Sequence, residues 1–329
     1  MNLDEVAKRA GASTATVSRV LNQTSAVRNA TRQRVTRAIS ELNYHPNLHA
    51  RSLAKGASRT LGMIASNLQN PFFFDICRAL ETDAYTHGYD VLVADTDYNS
   101  EHLVRCVRLM IGRRVAGLAV IVSEMDPGLI SELAASKLRV VFYDVGTAGR
   151  TMSNIRVNYR RGIELVVEYL HNLNHRRLAF VGHHAALGPL SEREKAFVET
   201  VSRYAPRTEW RTVATQDARE ILSSGFQPTA IICVNDVMAV GVLREVREQG
   251  LRVPENISVT GFDNIKLSEF SYPPLTTVHI PRDRIGHLAF SMLVPESASG
   301  KLPGREIVID PELVLRDSTG PAPRTKGPS

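Results

Sequence analysis

Cysteine is nearly absent. Cys77, Cys106 and Cys233 are three in 329 residues, odd in number and far apart. That spacing suits neither a disulfide framework nor a metal site, and it points to reduced thiols in a cytoplasmic protein. No run of about 18 apolar residues occurs, and the chain starts with a polar helical segment, so neither a membrane-spanning nor an exported protein is expected. A glycine-rich phosphate loop after the first strand is missing, and so is a nucleophile elbow. Both absences argue against an enzyme, and no catalytic residue, cofactor or metal is expected.

One further absence is local. The stretch Ala12-Ser13-Thr14-Ala15-Thr16-Val17-Ser18-Arg19-Val20-Leu21-Asn22 carries no acid. Ser13 is a good N-cap, because its hydroxyl can accept from a free backbone N–H one turn in. Val17, Val20 and Leu21 form an apolar stripe at helical spacing. The other face carries Thr14, Ala15, Thr16, Ser18 and Arg19. These are hydrogen-bonding groups, a methyl that can meet a thymine methyl, and an arginine that can fork onto guanine. Taken alone the segment could equally be a small core helix.

Its flanks decide between the two. Leu3 to Arg9 reads as a preceding helix with Leu3, Val6, Ala7 and Ala10 buried, and Gly11 ends it in a tight turn. A third helix is expected from about Thr31 to Leu42, with Val35, Ala38, Ile39 and Leu42 inward and Arg32, Arg34 and Arg37 outward. Three short helices on one core are the form in which the second reads bases. Charge agrees. Residues 1–59 hold ten Lys and Arg against Asp4, Glu5 and Glu41, while the whole chain nets only +6. A basic head on a near-neutral body is the footprint of a nucleic-acid binder.

Pro46 breaks the third helix. Leu48 to Gly56 could then form two helical turns, too few to be stable alone. Leu53 has no core of its own. It could dock onto the next domain, or it could wedge into a minor-groove step in a helix that forms only on DNA.

The runs Leu3-Asp4-Glu5-Val6-Ala7, Ser13 to Asn22, Asn43-Tyr44-His45-Pro46-Asn47 and Ala50-Arg51-Ser52-Leu53 together resemble the head of the lac repressor/galactose repressor (LacI/GalR) family. The similarity runs on to Leu315-Arg316-Asp317-Ser318-Thr319. It implies a homodimeric, or higher oligomeric, repressor on a near-palindromic operator, with a periplasmic-binding-protein-like effector domain. By this resemblance Thr14, Ala15 and Arg19 stand at base-contact positions and Leu53 at the wedge. The expected DNA-binding set is Thr14, Ala15, Thr16, Ser18, Arg19, Asn22, Arg51, Leu53 and Ala54.

From Arg59 onward, apolar strand-like runs alternate with helix-length segments. One set is 61–65, 89–94, 117–122 and 140–143. A second is 178–181, 230–234 and 257–260. Such runs mean strands covered on both faces, hence doubly wound parallel sheets. The expected fold is an N-terminal all-α helix-turn-helix head plus an α/β effector domain of two such lobes. Its parts are a DNA-binding domain 1–45, a hinge helix or linker 46–58, and an effector domain 59–319. Lobe 1 is expected at about 59–158 and 283–319, lobe 2 at about 159–282, and a disordered tail at 320–329.

In open α/β sheets the ligand crevice lies at the carboxyl ends of strands. The first strand leads to Asn70-Pro71-Phe72-Phe73-Phe74, where aromatic faces could stack on a sugar ring or a base. Packing at a helix start is the plainer reading, and three consecutive phenylalanines cannot all face one way. The fourth strand ends in Asp144, the sixth in Asn235-Asp236, the seventh in Gly261-Phe262-Asp263-Asn264. One such acid is commonly a helix cap. Several converging from both lobes suit hydroxyl or amine recognition.

The resemblance adds Arg193, in a motif where Ala196 replaces the usual glycine, and supports Asn235 and Asp263. It also adds Asn158, although Val157 stands where an acid is often found. The chain between Trp210 and Asp217 is shorter than in most relatives. His183-His184 reads as a surface pair, since no third ligand at metal spacing follows. The expected effector-binding set is Phe72, Phe73, Asp144, Asn158, Arg193, Asn235 and Asp263. A sugar or sugar derivative is the expected effector, with a purine or other metabolite as the alternative.

Overall fold

The computed structural model describes residues 2–21, 27–44, 58–123, 127–136, 138–144, 152–182, 189–204, 207–214, 219–295 and 304–323. The chain divides into two compact units, 1–58 and 59–329. Asn22, Arg51, Leu53, Ala54, His183, His184 and most of the 46–58 hinge lie outside the described residues.

The head is built from local signals. Asn2 Oδ1 accepts from the Glu5 N–H at 2.9 Å and Glu5 Oε2 accepts from the Asn2 N–H, which caps α1 (Leu3–Ala10) reciprocally. Gly11 ends α1 at φ 57°, a left-handed conformation that costs glycine nothing. Ser13 Oγ accepts from the Thr16 N–H at 3.2 Å and starts α2 (Thr14–Leu21), the cap read from the sequence. Helix α3 (Asn29–Glu41) begins two residues before the expected Thr31 and ends one before Leu42. Val6, Val17 and Val35, one from each helix, are fully buried at the centre. Ala7, Ala10, Val20 and Ala38 close the core around them.

In the second unit the continuous apolar runs become parallel strands, because a strand apolar on both faces must be covered on both. The first lobe holds β1 (Thr60–Ala65), α4 (Pro71–Thr86), β2 (Asp90–Asp95), α5 (Ser100–Gly112), β3 (Gly117–Ile121), α6 (Pro127–Ala135), β4 (Val140–Tyr143) and β5 (Ser153–Val157). The second holds α7 (Tyr159–Asn172), β6 (Arg177–Gly182), α8 (Pro189–Ser202), β7 (Glu209–Ala214), α9 (Arg219–Ser223), β8 (Ala230–Cys233), α10 (Asp236–Glu248), β9 (Ser258–Thr260), α11 (Leu267–Phe270) and β10 (Thr277–His279). Then come α12 (Arg282–Leu293), β11 (Glu306–Ile309) and β12 (Glu312–Val314).

The first sheet has the order β11-β5-β4-β3-β1-β2, the second β7-β6-β8-β9, all parallel, and β10 pairs antiparallel with β12. The short β10 and β12 were not anticipated, nor were β5, β7 and β11. Arg156, Glu209, Arg211 and Glu306 interrupt their apolar character, as suits exposed or edge positions.

The chain crosses between lobes three times. The first crossing is at Asn158 and the second lies between β10 and α12. Helix α12 returns to the first lobe and packs on α4 at Gly286, where a Cβ would stand 2.6 Å from Ile76 O and from Ala79 Cβ. The third crossing corrects the expected boundary, which kept 283–319 in one lobe. Strand β11 does join the first sheet, but Pro311 then leads the chain to β10 in the second lobe. Val259 N–H donates to Ser318 O at 2.9 Å, and His175 Nε2 donates to Gly320 O at 2.9 Å. Ala322 N–H donates to Leu173 O at 2.9 Å. Residues 320–322, expected in a disordered tail, are thus tied down by hydrogen bonds. The first and third crossings are laced together, since Asn158 Nδ2 donates to Asp310 Oδ1 at 2.8 Å and Asn158 N–H to Ile309 O at 2.9 Å.

Candidate effector cleft and nucleic-acid interface

Helix α2 shows the surface read from its sequence. Thr14, Ala15 and Arg19 are exposed, Thr16 and Ser18 half-buried, and Val17 and Val20 face the core. Thr16 has a second duty, since its Oγ1 lies 2.9 Å from Ser13 Oγ within the cap. Ala15 and Arg19, four residues apart, share one side of the helix. No acid interrupts that side.

A cleft of about 670 Å3 opens at the carboxyl ends of strands from both lobes. The first lobe supplies Asn67, Gln69 and Asn70 after β1, the phenylalanines of α4, Tyr98 after β2, Ser123 after β3, and Tyr143 from β4. The second supplies Tyr159, Arg193, Asn235, Met238 and Asp263. Asn70 Oδ1 accepts from the Phe72 N–H at 3.0 Å, and Pro71 occupies the first turn, which fixes where α4 starts. That start turns Phe72 and Phe73 inward and leaves Phe74 53% exposed. The rings form a connected wall. Phe72 lies 5.2 Å from Phe73 edge-on and 5.7 Å from Tyr143, and Phe73 lies 6.3 Å from Tyr98.

Arg193 sits at the floor, 4% exposed. Its Nη1 donates to Val234 O, and its Nη2 donates to Asp263 Oδ1 at 3.3 Å. Its guanidinium carbon stands 4.6 Å from the Tyr159 ring centre and 4.3 Å from that of Phe262. The charge is therefore paired with Asp263 and packed against two aromatic rings. Its Nε is buried without a hydrogen-bond partner. Burial pushes the Asp263 carboxyl up to about 6, with Arg193 and then Arg282 pulling it down. Asp236, behind the cleft, is pushed up to about 8 by burial and by the Asp263 charge. Thr277 Oγ1 donates to Asp236 Oδ1, and the Ile265 N–H donates to Oδ2 at 2.7 Å. Asn235 caps α10, its Oδ1 accepting from the Met238 N–H at 2.8 Å.

Of the residues expected to bind effector, the structure brings together Phe72, Phe73, Arg193, Asn235 and Asp263. Asp144 and Asn158 do not line the cleft. Asp144, half-buried and next in sequence to Tyr143, accepts from the Val157 N–H at 3.1 Å through Oδ1, while its shielded Oδ2 has no hydrogen-bond partner. Burial raises its pKa to about 6. Asn158 is spent on structure, since its Oδ1 accepts from the Arg161 N–H at the start of α7 and its amide reaches Asp310. The sequence reading missed Tyr143 and Tyr159, whose hydroxyls meet at 2.6 Å. A polar-tipped aromatic ending an apolar run was the available signal for Tyr143. Tyr159 becomes a wall only when the two lobes face each other. Among the described residues no group of His, Cys, Asp and Glu could hold a metal ion, and no helix is long and apolar enough to cross a membrane.

A three-helix head with an acid-free second helix, on one chain with a two-lobed α/β body and an interlobe cleft, defines a class of DNA-binding protein with a ligand-binding domain. Family models match both parts, "Bacterial regulatory proteins, lacI family" over residues 2–47 and "Periplasmic binding protein-like domain" over 167–319. The HTH-type transcriptional repressor PurR of Vibrio vulnificus is 34% identical over 326 residues, covering 96% of this chain and 98% of that one. That of Erwinia tasmaniensis is 34% identical over 339 residues, covering 98% and 97%. Among solved structures, a Lac repressor dimer bound to operator and the anti-inducer ONPF aligns with a TM-score of 0.83 at 30% identity, covering 97% of this chain and 99% of that one. The chain belongs to the lacI family and is a DNA-binding transcriptional repressor, in a family of regulators rather than enzymes.

Proposed function

We propose that the repressor is controlled by a purine, or a similarly flat nitrogen heterocycle, bound in the interlobe cleft. The observation that carries this is the connected wall of Phe72, Phe73, Tyr98 and Tyr143 facing Tyr159. A flat base offers two faces to such rings, and its edge needs only a few polar partners. Those at hand are the Asp263 carboxylate and the side-chain amides of Asn67, Asn70 and Asn235. A polyol presents hydroxyls all round its ring and needs more charged hydrogen bonds than a guanidinium already committed to Val234 and Asp263 can add. This reading favours the alternative over the sugar expected from the sequence, and the full-length similarity to repressors named PurR supports it. The domain boundary near residue 58 and the cleft set of Phe72, Phe73, Arg193, Asn235 and Asp263 belong to the same reading.

On the DNA side, Thr14, Ala15, Thr16, Ser18 and Arg19 meet base edges and backbone, each copy of a homodimer reading one half of a near-palindromic operator. The Lac repressor structure, described as a dimer bound to operator, supports this arrangement. A ligand that binds two lobe arrangements unequally shifts their populations and with them operator affinity. Thermal-shift screening of the full chain against purine bases, sugars and sugar acids tests the effector class. A ligand at 100 times its Kd stabilises by about 2.7 kcal/mol. Stabilisation by a purine base, with a matching change in operator affinity, is the expected result. Stabilisation by sugars alone would return the cleft to the polyol reading.

A further inference from the structure

Asp263 and Asn264 are consecutive residues at φ 106° and φ 52°, in the left-handed region that side chains avoid. Such a turn persists only where its surroundings over-determine it. Three arginines from three elements do so here. Arg193 of α8 holds the Asp263 carboxylate. Arg316, beyond β12, donates from Nη2 to Asn264 Oδ1 at 2.8 Å and from Nη1 to Leu275 O at 2.7 Å. Both belong to the second lobe, as the turn does. The third does not. Arg282 opens α12, a first-lobe helix, and reaches across. Its Nη1 donates to Asp263 O, its Nη2 to Asn264 O at 2.9 Å, and its Nε to Asp75 Oδ2 on α4 at 3.0 Å. The Arg282 side chain is 12% exposed and that of Asp75 29%.

We propose that Arg282 is a positioning residue that couples the effector cleft to the first lobe. One planar guanidinium ties the backbone of the cleft's acidic turn to Asp75 on the helix that carries Phe72 and Phe73. Besides the Tyr143–Tyr159 hydroxyl pair inside the cleft, the two cleft walls thus meet through a side chain that lies outside the cleft lining. A ligand that engages Asp263 and stacks on the phenylalanines acts on both ends of this link at once. Interlobe geometry is then read through the link. This last step rests on the effector reading above, whereas the link itself does not. A lysine cannot replace Arg282 fully, because only a fork serves two carbonyls and a carboxylate together.

The test is hydrogen exchange on the full-length protein without added ligand, comparing wild type, D75N, R282K, R282Q and the D75N/R282Q double variant. The backbone N–H groups of Gly261 and Asp263 donate to Thr276 O and Val278 O and report on the turn. Among the described residues Asp75 makes no hydrogen bond to residues 261–265. D75N should nevertheless speed exchange there by about threefold and R282Q by about tenfold, with R282K between them, while D75N adds nothing in the R282Q background. Unchanged exchange at 261–265 in D75N, or equal increments in both backgrounds, would overturn the coupling. Adenine is the probe for the second arm. If it binds the wild type, R282Q should alter the ratio of operator affinities with and without it, and an unaltered ratio would sever the link from regulation. Failure of adenine to bind the wild type counts against the purine reading alone, since the exchange cycle decides the link without it.

Discussion

The two binding surfaces of this chain differ in how they are made. The helix proposed to face DNA is eight consecutive residues, exposed on one side, neutral apart from Arg19, and held in place by a core of small aliphatic side chains. The cleft draws on positions from Asn67 to Asp263, and its charges are buried within the fold that supports them. A surface laid on top of a core can change its chemistry without disturbing the fold. A surface cut into the core cannot, because Arg193, Asp263 and Asn235 there also satisfy neighbours. Affinity and stability are therefore separable in the head and entangled in the cleft.

Arg193→Ala gives the largest effect expected from that difference. It leaves the Asp263 carboxylate buried without its guanidinium and should cost about 3–5 kcal/mol of stability. Urea unfolding followed by circular dichroism measures it, and a loss no greater than that of an exposed pair, about 1 kcal/mol or less, would break the comparison. In the head, Arg19→Ala should weaken operator binding by about 1–3 kcal/mol and relax one base position while melting stays unchanged. Operator selection with the variant checks this, and an unchanged base preference would remove Arg19 from readout. Gly11→Ala should destabilise the head by about 1–2 kcal/mol through its left-handed backbone. Exchange rates in residues 2–44 should rise while those of the body hold, and a rise in both would show the units to be less independent than drawn.

The smallest effect is one of pH. Asp236 titrates at about 8 in the folded chain, above its unfolded value of 3.8, so the folded state holds the extra proton in between. Stability from this group is fully present at low pH and falls as pH rises through about 8. His175 and His279, whose pKa values burial lowers below 6.5, act in the opposite sense only below that value. Melting temperature should therefore decline between about pH 6.5 and pH 8. Asp236→Asn imitates the protonated acid and should flatten that decline. A variant with the wild-type slope would assign it to another group.

Legibility followed the same division. Ser13, Gly11 and the stripe of Val17 and Val20 announce α2 from within a dozen residues, and the structure differs by two residues at most. The apolar strands β1, β3, β4 and β8 were equally plain. Strands β5 and β11 were not, because Arg156 and Glu306 disguise segments that become strands only beside their sheet neighbours. In the cleft, Phe72, Phe73, Asn235 and Asp263 follow strands directly, so the rule about strand ends finds them. The same rule named Asp144, whose side chain turns back to the Val157 N–H. Asn158 came from the resemblance and proved to be committed to the α7 cap and Asp310. Arg282 escaped altogether, since its partners Asn264, Asp263 and Asp75 lie 18, 19 and 207 positions away.

The third crossing has a consequence for synthesis. The head needs only its first 44 residues, whereas the second lobe is sealed by Ser318, Thr319 and Gly320 at the far end of the chain. Domains fold largely in the order in which they leave the ribosome. A nascent repressor thus acquires its DNA-reading surface long before its effector cleft can close.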